Sequence, residues 1–193
     1  MRGRPIIHSD EELILKAQKV FWKKGYTATS LNDLLKATGT GSGSFYNTFK
    51  GGKREIFSKA LEQRRNEFSN FQKKLNESEN PVLLIKNFFK SIADDSNESH
   101  MKGCIIANSV LELSFVDESL ENQAKQILIE VEQMYIKSIK ISQERGFIKT
   151  NESPEVLGRY LITFWMGLNG LRKMYPQKES LLKQIDFHLN ILN

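Results

Sequence analysis

With 193 residues, 39 % of them hydrophobic and 26 % charged, the chain has the size and balance of one folded unit, or of two small modules sharing a core. A single cysteine, Cys104, excludes an intrachain disulfide and fits a reducing, cytoplasmic setting. The net charge of +5 is held unevenly: residues 1–75 carry fifteen Lys or Arg against seven Asp or Glu, and the remainder thirteen against sixteen, so a basic head suited to a polyanion is joined to a slightly acidic body.

Arg2 and Arg4 lead into Ser9-Asp10-Glu11-Glu12 rather than into the apolar core of a signal peptide. Ser9 and Glu12 have capping-box spacing, and Leu13, Ala17, Val20 and Phe21 follow with the spacing of an amphipathic helix. Gly25 is expected to stop that helix in the left-handed conformation. Ser30 and Asp33 open a second, short helix with Leu31, Leu34 and Leu35 on one side, ending at Gly39. A third, over about 42–48, carries Phe45 and Phe49 four apart, and Gly51-Gly52 breaks it. A long helix is predicted over 53–75, with Phe57, Leu61, Phe68, Phe71 and Leu75 as its seam, and a break over 76–80 before Pro81. Further helices are predicted over 81–94, 103–115, 118–145, 154–175 and 178–191, with the polar stretch 94–99 as a mobile loop. Pro154 suits a first helical turn, where its missing N–H costs nothing. Alternating runs and Asn-Gly or Asp-Gly hairpin signals are absent, so the predicted class is all-α. The apolar run from Tyr160 to Leu171 is shorter than the roughly 20 residues of a membrane span.

Residues 30–49 set two short helices around a turn at Gly39-Thr40-Gly41, the spacing of a helix-turn-helix. A major groove about 12 Å wide admits one helix if its outward side chains are small or polar. Here those are Ser42, Gly43, Ser44, Asn47 and Thr48, while Phe45 and Phe49 can turn to the core. Tyr46 offers a hydroxyl to a phosphate oxygen, and Lys53 a cation at the start of the long helix.

Gly25-Tyr26, then Thr29-Ser30-Leu31-Asn32-Asp33-Leu34-Leu35-Lys36-Ala37-Thr38-Gly39, then Gly43-Ser44-Phe45-Tyr46-Asn47-Thr48-Phe49 resemble the signature of the TetR family of transcriptional regulators. Arg2-Gly3-Arg4-Pro5 before them and Lys53-Arg54-Glu55-Ile56-Phe57 after them extend the resemblance over about residues 2–61. A weaker echo follows in the segment Gly103-Cys104-Ile105-Ile106-Ala107-Asn108 and in Leu111-Glu112-Leu113. The resemblance implies a three-helix head (1–52) joined by a long helix to a C-terminal bundle (53–193) for ligand binding and dimerisation. It also implies a homodimer on double-stranded, palindromic operator DNA, acting as a repressor released by a small molecule. Thr29 or Ser30 would touch the DNA backbone, and Ser42, Gly43, Ser44 and Asn47 would face base edges. Tyr46 and Thr48 would hold phosphates, and Arg2 and Arg4 would form a minor-groove arm. Lys53 would anchor the flanking backbone, with Lys50 as its substitute because Gly51-Gly52 lengthens the turn.

By the same resemblance the dimer forms through the helices predicted over 154–175 and 178–191. Leu157, Leu161, Phe164, Leu168, Leu171, Leu182, Ile185, Leu189 and Leu192 supply apolar faces that serve either the dimer or the core of one chain. An effector pocket among the middle helices would draw on Phe89, Cys104, Asn108, Leu111, Met134, Phe164 and Trp165, although each also suits ordinary core packing. No positive charge in this region specifies an anionic ligand. An enzyme is not expected: His8, His100 and His188 are scattered, and Gly39-x-Gly41-x-Gly43 neither follows a strand nor ends in Gly-Lys-Ser/Thr. No cofactor or metal is expected either. The competing reading is a helical ligand- or protein-binding module whose head does not read specific DNA.

Overall fold

The computed structural model describes residues 9–193, and among these it contains α-helices, turns and two single turns of 3-10 helix but no strand. The expected all-α class is therefore the class found. Arg2 and Arg4, the expected arm, lie outside the described residues.

α1 (Asp10–Lys24) opens on Ser9, whose Oγ accepts the Glu12 amide at 3.3 Å. Asp10, Glu11 and Glu12 then occupy the first turn, where the helix dipole favours negative charge. The helix closes on Gly25 at φ 82°, ψ 171°, a positive-φ conformation but an extended one rather than the left-handed helical cap expected. α2 (Leu31–Thr38) has the full capping box: Ser30 Oγ accepts the Asp33 amide while the Asp33 carboxylate accepts the Ser30 amide. It ends on Gly39 in the left-handed region. α3 (Ser42–Thr48) follows, and α4 (Gly52–Glu77) runs from the head into the body. Leu13, Ala17, Phe21, Leu34, Phe45, Phe49, Ile56, Phe57 and Leu61 are all buried, and Phe21 meets Phe57 edge-on at 4.8 Å.

The body adds α5 (Pro81–Ser91), a 3-10 turn (Ile92–Asp94), α6 (Asn97–Lys102), α7 (Ile105–Glu112), α8 (Glu118–Glu144), α9 (Pro154–Met174) and α10 (Lys178–Leu189), ending in a second 3-10 turn (Asn190–Leu192). α6 corrects the mobile loop expected over 94–99. Ser96 Oγ accepts the Ser99 amide and starts a six-residue helix too short and polar to show a period, whose His100 is buried.

α8 packs on α9, with α5 and α7 also against it. Gly158 sets how closely α9 approaches: a Cβ there would lie 2.5 Å from Ile136 Cγ1 and 3.3 Å from the Ile136 amide nitrogen. Gly158→Ala is therefore expected to cost about 1–3 kcal/mol by overpacking, read as a lower midpoint in thermal unfolding; an unchanged midpoint would mean that Ile136 swings aside freely.

The apolar positions offered for a dimer also need correction. Leu157, Leu161, Phe164, Leu168, Ile185, Leu189 and Leu192 are buried within the single chain, and Leu171 and Leu182 are half-buried. They hold α9 and α10 onto α8 and α5. The outer faces carry a different set, Val156, Thr163, Gly167, Gly170 and Met174 on α9, and Ser180, Gln184, Phe187 and Ile191 along α10 and its terminal turn. Phe187 is 73 % exposed.

Candidate nucleic-acid interface

α3 is a seven-residue helix whose N-cap, Gly41, makes no side-chain cap. A free helix this short is not stable in water, so its order comes from below, where Phe45 and Phe49 are both fully buried with their rings 5.4 Å apart. With those two turned in, Ser42, Gly43, Ser44, Tyr46 and Asn47 are exposed and Thr48 half-exposed. Tyr46 stands edge-on to Phe45 at 5.7 Å and is 45 % exposed. Gly52 makes room for that ring: at φ 60° its missing Cβ would lie 3.1 Å from Tyr46 Cε1. Thr48 Oγ1 donates to the Ser44 carbonyl at 3.3 Å. α3 has no ionised side chain, and the exposed cation next to it in the chain is Lys50.

Two expected contacts are turned elsewhere. Thr29 is buried, and its hydroxyl donates to the Gly25 carbonyl at 2.6 Å, closing the loop between α1 and α2. Ser30, the other candidate at that position, is exposed, although its hydroxyl serves the α2 cap. Lys53 Nζ donates to the Thr29 carbonyl at 2.9 Å and sits 4.4 Å above the Tyr26 ring, so it braces the α1–α2 loop from within. Lys50 is exposed in the turn between α3 and α4.

Asp33 ties α2 to α1. Its hydrogen bond to Lys24 (2.6 Å) and those to Ser30 hold its carboxyl well below the usual carboxylate range. A depressed folded pKa gives stability that is complete above the unfolded value of about 3.9 and lost as pH falls through the folded one. Asp33→Asn should therefore lower the unfolding midpoint at pH 7, and the gap from the parent should shrink steadily below about pH 4. A gap independent of pH would mean that the charge contributes nothing.

The residues expected to form one pocket divide among several places. Phe89 stacks on Phe164 at 5.1 Å and meets Trp165 edge-on at 6.1 Å, all three in the core. Met134 lines a separate groove between α4 and α8, together with Arg65 and Glu130. Asn108 is half-buried and donates Nδ2–H to the Lys102 carbonyl at 2.9 Å. Leu111 is 72 % exposed, since α7 turns that position to solvent, and so is not a pocket residue. Cys104 and Trp165 do line one cavity, of about 270 Å³, in company that the sequence did not reveal: Trp22, Arg64 and Arg172. The cavity therefore carries positive charge that none of the pocket residues expected from the sequence supplies.

Head and body are joined by polar contacts of long sequence separation. Glu112, at the end of α7, accepts the Tyr26 amide at 3.0 Å and the Thr27 amide at 2.7 Å. Trp22 Nε1 donates to the Gly103 carbonyl at 2.9 Å, and just past the head Arg54, in the first turn of α4, pairs with Asp117 at 2.8 Å. No local pattern marks these residues, because each is an ordinary polar or amphipathic side chain until folding brings its partner near.

Comparison with known proteins agrees with this arrangement. Residues 13–60 match the family described as bacterial regulatory proteins, tetR family. The HTH-type transcriptional repressor DhaR of Mycobacterium sp. (strain GP1) is 28 % identical over 176 residues, covering 89 % of this chain and 85 % of that protein. Among solved structures, the regulatory protein TetR from Rhodobacter sphaeroides superposes with a TM-score of 0.83 at 18 % identity, covering 95 % of this chain and 98 % of the other. CifR, a TetR family transcriptional regulator solved as a cysteine mutant with a 26-base-pair double-strand operator, gives 0.80 at 21 % identity, covering 99 % of this chain and 100 % of the other. The chain is a DNA-binding transcriptional regulator similar to those of the tetR family, whose model its residues 13–60 match.

Proposed function

We propose that the protein is a repressor that binds a palindromic operator as a homodimer and is released by a small molecule. The observation that carries the DNA part is the division of α3: two buried phenylalanines hold it, and the face they leave outward is uncharged, small or hydrogen-bonding. In this reading residues 1–52 form the DNA-binding head and 53–193 the ligand-binding and dimerisation body. Ser42, Gly43, Ser44 and Asn47 face base edges, and Ser30, Tyr46 and Thr48 hold phosphates. Lys50 takes the flanking phosphate in place of Lys53, whose ammonium is engaged inside the head. Repression is the function named for the DhaR relative.

The dimer forms through the outer faces of α9 and α10. Gly167 and Gly170 leave open space beside the α9 backbone, so a second helix can approach closely. Phe187 on α10 supplies an apolar anchor. Two-fold symmetry then presents two α3 helices to two half-sites.

Fluorescence anisotropy on labelled DNA from the gene's own upstream region, with scrambled DNA as control, tests this reading. A gap of about 10³-fold or more at physiological salt is expected for a specific regulator. Asn47→Ala should narrow it by roughly 1–3 kcal/mol, while Lys50→Ala should weaken both DNAs alike and reduce the salt slope by about one. Equal, weak binding to both DNAs would reject the operator-reading head.

A further inference from the structure

The cavity that holds Cys104 and Trp165 lies where the head helix α1 meets α4, α5, α6 and α9. We propose that it binds a small organic carboxylate with an aromatic or short aliphatic body, the carboxylate between Arg64 and Arg172 and the body against the tryptophan and phenylalanine rings. This names the ligand class for the release proposed above, and it rests on that reading only for what binding does to the DNA.

Charge is the first argument. Arg64, Lys102 and Arg172 line the cavity against one carboxylate, that of Asp95. Glu67, which pairs with Arg64, and Glu98, which pairs with Lys102 at 2.7 Å, have side chains 50 % and 71 % exposed and do not line the space. Arg172 is 5 % exposed and gives one nitrogen to Asp95 at 2.9 Å. Its Nε has no acceptor, and neither does the buried Nε of Arg64. Buried donors are rarely left unpaired, and a cationic one is the costliest case. Burial lowers both guanidinium pKa values, offset at Arg172 by Asp95. Three cations therefore line a space that holds one carboxylate, and the Nε of each arginine there is left without an acceptor.

Shape and lining decide what kind of anion. Water or a bare inorganic ion could satisfy the nitrogens, but neither gains from the apolar walls of Trp22, Phe68, Phe88 and Trp165. A planar carboxylate pairs with guanidinium groups through two parallel hydrogen bonds, and a ring or short chain behind it fills the rest. About 270 Å³ is small for a ligand site, which limits that body to one ring or a few carbons. Arg64 is also stacked over Trp22 at 4.8 Å, so an anion drawn to it acts directly on a side chain of α1.

The chain has two tryptophans, Trp22 and Trp165, and both line this cavity, so intrinsic emission reports its occupancy. The full chain would be titrated with benzoate, phenylacetate and hexanoate, and with benzamide, phenylacetamide and hexanamide as uncharged matches. Saturable emission changes are expected from at least one acid, with its amide roughly tenfold weaker or worse. Arg64→Met and Arg172→Met should each weaken that acid by a similar factor and leave the amide unchanged. If Arg172→Met fails to fold, judged by circular dichroism, Arg64→Met decides alone. Equal binding of acids and amides, or no saturable response to any acid, overturns the assignment. Operator anisotropy with and without the bound acid separates the two readings. Binding that leaves DNA affinity unchanged removes the release mechanism and keeps the ligand class, whereas an absent operator preference removes the proposed function without touching the cavity.

Discussion

Phe45→Ala is expected to destabilise the head by about 3–5 kcal/mol and to abolish preferential binding to upstream DNA. The ring is fully buried, with Phe49 and Tyr46 packed on it at 5.4 and 5.7 Å. Its removal leaves a void beneath a helix then held by Phe49 alone, since Gly41 gives no side-chain cap and Gly43 weakens the interior by about 1 kcal/mol relative to alanine. At about 2–4 °C per kcal/mol for a chain of this length, the midpoint should fall by roughly 6–20 °C if the chain unfolds in one step. Hydrogen exchange over 42–49 should rise further than elsewhere, because local openings concentrate where few contacts remain. Phe45→Leu keeps most of the buried surface and should restore most of the binding. Parent-like DNA affinity in Phe45→Ala would show that α3 is not the reading helix.

That result bears on how much the sequence disclosed. Helix starts were legible because they are local: Ser9, Ser30 and Pro154 each sit at the residue where a helix begins or enters its first turn. The long helices were legible because their apolar positions repeat over many turns. α6 was not, because six residues with one apolar side chain among them carry no period, and its only local mark is the Ser96 cap. The α3 surface was legible for the same local reason as the helix starts, since two phenylalanines four apart fix which side faces out. Thr29 and Lys53 were misread because sequence gives position, not direction, and both side chains find acceptors inside the α1–α2 loop. Leu157 and Leu161 show a related ambiguity: an apolar stripe says that a face is covered, not whether the same chain or a second one covers it. The charged cavity was least legible, because Trp22, Arg64 and Arg172 lie on three helices far apart in sequence.

The contact between Glu112 and the α1–α2 loop gives the other large expected effect. One carboxylate accepts two backbone amides, those of Tyr26 and Thr27, and hydrogen bonds to a charged group are each worth about 1.5–3 kcal/mol. Glu112→Ala should therefore cost roughly 2–4 kcal/mol, the two bonds sharing one acceptor group and one of the freed amides reaching water. A head no longer held to α7 should also lose operator affinity, because its orientation on the body is less defined while α3 itself is unchanged. Gly25 meets the same carboxylate from the other side: a Cβ there would lie 2.7 Å from a Glu112 carboxylate oxygen, on a backbone at φ 82°. Gly25→Ala thus carries two penalties, a collision with Glu112 and the strain of positive φ, the latter about 1–3 kcal/mol. In the Glu112→Ala background only the strain remains, so the double variant should be more stable than the sum of the single losses predicts. Chemical denaturation of the four proteins measures that difference. If Gly25→Ala costs the same in both backgrounds, the two residues do not share one contact, and the link between head and body must be sought at Trp22–Gly103 instead.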